Sequence, residues 1–222
     1  MDHREKQLIY LSGCILNQNS RFPGIAISSG AINEIIELIL RKNLGIEQLP
    51  CLECLGWGGV DRKSFFKYFP MYLKYSETRI FPLLKLFGKI WIWKYRKLCK
   101  KQAKLVLNQM ENFINSGYSI VGIIAMNDSP TCGLSKSINL WNSVRKFKSL
   151  GLKLSDFINP EFDKMKFIIP NLCEDGTGYF MSEIISGITR KDLAIKLIEF
   201  NPWNDIKEEI NKINNELALN NF

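Results

Sequence analysis

Residues 119–126, Ser-Ile-Val-Gly-Ile-Ile-Ala-Met, form a near-continuous apolar run of strand length. A strand without polar alternation has no face to offer water, so it belongs in a sheet covered on both sides, typically a parallel sheet under helices. A second β-prone run, Leu8-Ile9-Tyr10-Leu11, stands near the amino terminus, and a third covers 44–49 and stops at Pro50. Between these two, Ile32, Ile35, Ile36, Leu38, Ile39 and Leu40 are helically spaced, with Ser28 or Ser29 as cap and Lys42-Asn43 closing the helix. The expected fold is α/β: a mainly parallel sheet flanked by helices, Rossmann-like and three-layered, with residues 1–222 read as one domain. Internal repeats are absent. The signal weakens after Gly133. Residues 135–162 read as irregular or partly helical, Phe167-Ile168-Ile169 as a short strand, and 189–200 and 204–218 as helices.

Histidine is nearly missing. The one copy, His3, lies at the start of the chain, which argues against Ser-His-Asp and Cys-His catalysis and against zinc sites built on imidazoles. Unusual chemistry then rests on six cysteines, at 14, 51, 54, 99, 132 and 173. The apolar stretch near the start is too short for a secretory signal, and no run approaches the roughly eighteen apolar residues of a membrane span. A reducing cytoplasm is the expected setting, where metal binding or catalysis by cysteine outweighs disulfide formation.

The net charge of +8 is unevenly spread. Residues 62–104 hold thirteen basic side chains and one acidic, Glu77, a local balance of +12 that leaves −4 for the rest. The same segment carries 11 of the 26 aromatics. It reads as a helical, basic and aromatic insertion with its own surface role. A long helix is expected from Pro82 to Phe113, with Phe81, Leu84, Phe87, Trp91, Tyr95 and Leu98 on one face and Lys85, Lys89, Arg96, Lys100 and Lys104 on another. Three outcomes fit this pattern. The aromatics pack on the core while the lysines face water, or the segment binds an anionic partner, either nucleic acid such as tRNA or a membrane surface.

Three cysteines fall just past strands. Cys14 follows the first, Cys51 the second, and Cys132 closes Asn127-Asp128-Ser129-Pro130-Thr131-Cys132 after the third. Open parallel sheets bind ligands beyond the carboxyl ends of their strands, so neighbouring strands would bring these thiols to one crevice. Their spacing matches no compact ferredoxin or zinc-finger pattern. Cys99 and Cys173 read as ordinary buried thiols. Cys54 makes a Cys-x-x-Cys with Cys51 and is open to three readings: fourth ligand, redox thiol or bystander. Gly56, Gly58 and Gly59 mark a tight turn or a close backbone approach to a ligand.

Ser12-Gly13-Cys14-Ile15-Leu16-Asn17-Gln18-Asn19-Ser20-Arg21, Gln48-Leu49-Pro50-Cys51-Leu52-Glu53 and Ser129-Pro130-Thr131-Cys132-Gly133, in that order, resemble the bacterial 2-thiouracil desulfurase family and its desulfidase-like relatives. The resemblance covers 8–62 and 118–134, and more vaguely Gly178-Tyr179-Phe180-Met181. Leu52 stands where the family has Pro, Thr131 where Ser is common, and Cys54 has no counterpart. The resemblance implies a [4Fe–4S] cluster on Cys14, Cys51 and Cys132, with one iron open to the sulfur of a small thiolated, thiocarbonyl substrate. Cleaving C=S with water also needs groups that handle protons. Glu53, Asp128 and Ser129 are the catalytic candidates, and Arg21 is the candidate for an anionic substrate group. Glu53 reads equally as a salt-bridge or capping residue, Asp128 as a turn residue, and Arg21 as a loop brace. The competing class is a non-catalytic metal-binding or electron-transfer protein with a closed four-cysteine cluster or zinc site.

Overall fold

Strand β1 (Gln7–Ser12) runs into a single helical turn, α1 (Gly13–Leu16), and a tighter turn over Gln18–Ser20. Helix α2 (Asn33–Arg41) leads to β2 (Gly45–Leu49), α3 (Leu52–Gly56), α4 (Lys63–Tyr75) and the long α5 (Phe81–Asn115). Then come β3 (Ser119–Met126), β4 (Lys136–Ile138), α6 (Leu140–Ser149), α7 (Ser155–Ile158), α8 (Phe162–Leu172) and β5 (Cys173–Asp175). Helix α9 (Tyr179–Arg190), β6 (Lys196–Phe200) and α10 (Ile206–Ala218) complete the computed structural model, which describes residues 2–158 and 160–218.

The main sheet has the order β2-β1-β3-β6, and every neighbouring pair is parallel. Leu8 to Leu11 and Ile123 to Ala125 are fully or almost fully buried, as two-sided cover requires. Helix α5 packs on α9, and α10 packs on α2, so helices flank the sheet in a three-layer, Rossmann-like α/β fold. The chain leaves β1 toward β2 and returns on the other side of β1 as β3. At such a reversal the flanking crossovers diverge, and a crevice opens beyond the carboxyl ends of the central strands.

A second, smaller core gathers Phe22 and Ile25 from the loop after α1, Phe69 and Leu73 of α4, Val144 and Phe147 of α6, and Met165, Ile168, Ile169 and Leu172 of α8. The antiparallel pair β4–β5 belongs to this region of the chain. Part of the basic segment is thus structural, because α4 supplies two side chains to this core.

The structure corrects several expectations. Phe167-Ile168-Ile169 lies in α8, not in a strand, because Met165, Ile168, Ile169 and Leu172 form one buried helical stripe. Residues 196–200 of the expected helix 189–200 form β6, hydrogen-bonded along β3; a short apolar run is ambiguous until its neighbour is known. Helix α2 begins at Asn33 without a serine cap, and the Ser28 hydroxyl donates to the Ala31 carbonyl instead. The inward face of α5 is also rotated: Ile92, Tyr95, Cys99, Ala103, Val106, Leu107 and Met110 are buried, whereas Phe87 faces out. No helix among the described residues is long and apolar enough to cross a membrane.

Gly178 caps α9 where it meets the loop after β3, and a Cβ there would lie 2.4 Å from the Thr131 carbonyl carbon and 2.8 Å from the Cys132 nitrogen. Backbone cannot rotate aside as a side chain does, so Gly178→Ala is expected to cost about 1–3 kcal/mol. Gly30→Ala, with nothing within 4 Å, serves as the control. Calorimetry should show a melting point lowered by several degrees for the first and unchanged for the second; equal melting points would refute this packing.

Candidate functional site

Each strand of the central trio ends in a loop that delivers one thiol. After β1, Cys14 sits in α1, whose geometry is pinned by Gln18. The buried Gln18 amide donates to the Cys14 carbonyl and accepts from the Ile27 backbone N–H at 2.9 Å. Ser12, at the end of β1, accepts from Met126 N–H at 3.1 Å, locking the ends of β1 and β3 together.

The loop after β3 is built around Ser129. Its hydroxyl accepts from the backbone N–H groups of Thr131 (3.1 Å) and Cys132 (3.0 Å) and donates to Glu53 Oε1 at 3.1 Å. Asp128 takes a left-handed backbone conformation, φ 56°, which asparagine and aspartate tolerate better than most residues. Helix α9 then clamps the loop: the N–H groups of Gly178, Tyr179 and Phe180 donate to the carbonyls of Gly133, Pro130 and Thr131 at 2.9, 2.9 and 3.1 Å. The weakly patterned stretch Gly178 to Met181 therefore works by holding the Cys132 loop. On the other side Tyr95 Oη and Thr131 Oγ1 share a 2.6 Å hydrogen bond.

The segment after β2 carries Cys51, Glu53 and Cys54 and then turns sharply. Gly56 ends α3 in close contact with the Tyr95 ring, whereas Gly58 and Gly59 both have positive φ, 94° and 85°, and form a tight turn. That turn folds Arg62 back beneath the thiols. Its side chain is 1% exposed and donates to Ser20 O at 2.7 Å, Cys54 Sγ at 3.0 Å, Val60 O at 3.0 Å and Gly59 O at 3.1 Å. It also lies 3.7 Å from Cys51 Sγ and 3.5 Å from Glu53 Oε2. The Cys51 and Cys54 thiols point to the same Ser20 carbonyl, at 3.6 and 3.4 Å.

A cavity of about 80 Å³ occupies the crevice, space for several water-sized groups. Cys14, Cys51, Cys132, Glu53, Asp128, Ser129 and Arg21 all line it, so every candidate residue read from the sequence converges there. Arg62 lines it too, and sequence reasoning missed it. It stands among the thirteen basic residues of 62–104, and its place three residues after Gly58-Gly59 is the signal that could have found it. Phe22, Ile25, Phe69, Ile138, Ile169 and Leu172 form the opposite, apolar wall. Cys54 is not among the lining residues, Cys99 is buried within α5, and Cys173 sits beside Asp128.

Burial dominates the electrostatics. It pushes the Cys14 thiol up to about 11, and it raises Cys51 and Cys132 as well. Cys14 and Cys51 add to the effect on Cys132, a sign of how near the three thiols lie. Asp128 is raised above the usual carboxylate range, chiefly by burial. Arg21 is lowered by burial, whereas Arg62 is held up by Glu53, Cys51 and Cys54 against the same penalty. Arg21 Nη1, Arg62 Nε and Trp57 Nε1 are buried donors without hydrogen-bond partners among the described residues, and all three residues line the cavity. Two guanidiniums thus face the paired Glu53 carboxylate, the buried Asp128 and thiols whose burial favours the neutral form.

The chain is 29% identical over 164 residues to the uncharacterized protein MJ0003 of Methanocaldococcus jannaschii, an alignment that spans 74% of this chain and 83% of that relative. No family model matches the chain, and no solved structure matches it.

Proposed function

We propose that the protein is a cytoplasmic, iron–sulfur-dependent desulfidase that hydrolyses the carbon–sulfur bond of a small thiocarbonyl compound. The observation that carries this reading is the convergence of three thiols, two carboxylates, a hydroxyl and two guanidiniums on one crevice at the strand-order reversal. A [4Fe–4S] cluster on Cys14, Cys51 and Cys132 fits the donor set. The ligands are soft sulfurs, and the Arg21 and Arg62 guanidiniums beside them suit the charge of three thiolates. Among the described residues no group of three His, Cys, Asp or Glu side chains is arranged to hold a single metal ion. A cluster asks for something different, since each thiolate goes to a different iron. When bound through three cysteines, such a cluster supplies an open iron as Lewis acid toward sulfur.

The remaining work falls to the chain. Glu53, oriented by Ser129 at Oε1 and by Arg62 at Oε2, takes the proton of the water that replaces sulfur on carbon. Asp128, whose burial favours the protonated carboxyl, returns a proton to the departing group. Arg21 offers its unpaired Nη1 to an anionic oxygen of the substrate. The apolar wall excludes water and accepts a flat ring.

One observation favours the non-catalytic reading. Cys54 shares both Ser20 O and Arg62 with Cys51, so a closed four-thiolate site is within local reach.

Anaerobically purified protein is expected to carry about four irons and four sulfides per chain. Stoichiometric zinc without acid-labile sulfide would refute the cluster. Serine at Cys14, Cys51 or Cys132 should abolish it, whereas Cys99→Ser and Cys173→Ser should keep it. Cys54→Ser separates the classes: retained iron and retained thiouracil desulfurisation support the open cluster, and iron lost in both Cys54→Ser and Cys51→Ser supports the closed site. Glu53→Gln should keep its iron while turnover falls about 100- to 10,000-fold, the usual scale for a general base. Unchanged turnover would remove Glu53 from the mechanism.

A further inference from the structure

We propose that the first half of α5 seats the protein on an anionic lipid surface. Leu83, Leu86, Phe87, Ile90 and Trp93 are 45–58% exposed. Counted from Leu83 they fall at steps of three, four, seven and ten residues, which places them on one face of the helix. Scattered exposed apolar side chains are ordinary, but a contiguous patch of several hundred Å² marks an interaction surface. No helix among the described residues qualifies as a membrane span, so this stripe lies in an interface and does not cross one.

Charge identifies the partner. Lys94, Lys97 and Lys101 continue the same face over the next turns, and the exposed Lys89 and Arg96 flank it. The one acidic residue of 62–104, Glu77, is paired with Lys148 at 3.1 Å. Lys97 Nζ stands 3.7 Å from the centre of the Trp93 ring, an amphipathic pair of the kind that sits at headgroup level. Beside the stripe, between α4, α5 and α6, opens an apolar cavity of about 400 Å³ lined by Phe87, Ile90, Trp91 and Trp141, with Lys94 also on its wall. A concave apolar space beside a cation matches a lipid tail beneath its phosphate.

Nucleic acid fits this face less well. Bases gain from stacking on aromatic rings, yet three of the five exposed side chains are Leu or Ile. The ring of Trp91 packs against Trp57 and stacks on Tyr95, and Phe65 stacks on Trp57 and on Phe69, so these rings are already engaged. A second copy fits less well too, since an isologous contact would bring two lysine-rich faces together.

The test uses the full chain with vesicles of phosphatidylcholine alone or mixed with phosphatidylglycerol. Co-sedimentation is expected with the mixture only, accompanied by a blue shift of tryptophan emission that Trp93→Phe diminishes. Rising salt should release the protein. Lys94→Gln with Lys97→Gln should weaken binding roughly thirtyfold, at about 1 kcal/mol per surface-facing lysine. Leu83→Glu with Leu86→Glu should abolish binding at unchanged circular dichroism and iron content, since neither side chain lines the thiol cavity. Three results would overturn the proposal: no binding to the mixed vesicles, undiminished binding by the double glutamate variant, or vesicles ignored while tRNA binds or the chain dimerises through this face.

Discussion

Parallel strands all end on the same edge of their sheet, and most of this molecule follows from that constraint. With the order β2-β1-β3-β6, the loops after three neighbouring strands share one crevice, and each brings a cysteine to it. An antiparallel neighbour would have sent its loop to the far edge. The reversal between β1 and β3 spreads the flanking crossovers and leaves room where the thiols meet. The cavity is therefore a product of topology before it is a product of any side chain.

Charge burial is the second constraint. A guanidinium that is 1% exposed needs acceptors and an answering charge, and Arg62 finds them at Nη1 and Nη2 in carbonyls, two thiols and Glu53, while its Nε has no partner among the described residues. This network ties the Cys51–Glu53 segment to Arg62 and places the Glu53 carboxylate against Ser129, whose hydroxyl in turn holds the Cys132 loop. Glu53 is thus a salt-bridge residue whose second carboxylate oxygen accepts from Ser129, and the base role proposed for it would use that same geometry. The same burial raises the thiols and favours their protonated form, so a soft metal bound there would have to displace protons.

The basic, aromatic segment divides its work along its length. Helix α4 turns Phe69 and Leu73 into the second core, which closes the apolar side of the crevice, while α5 buries one stripe against α9 and leaves another to solvent. Buried packing, the wall of the thiol crevice and an exposed apolar stripe draw on adjoining turns of the same helices. Tyr95 on the inner face braces Thr131 in the site, only two residues from Trp93 on the outer one.

Sequence by itself determined the central strands, the long helix and the three cysteines past strand ends, because those features rest on local periodicity and on where turns must fall. It also marked Glu53, Asp128, Ser129 and Arg21 through their neighbours in short motifs. Tertiary structure decided what depends on partners distant in the chain. Residues 196–200 became a strand because β3 offered a free edge, and the stripe through Met165 became helical core because α4 and α6 pack beside it. Arg62 lay hidden among thirteen basic residues of its segment, and only the fold of the Gly58-Gly59 turn took this one out of water. Composition records how many charges a chain has; which of them is buried depends on the groups that meet it, and for Arg62 those groups come together only when the loops after β1 and β2 meet.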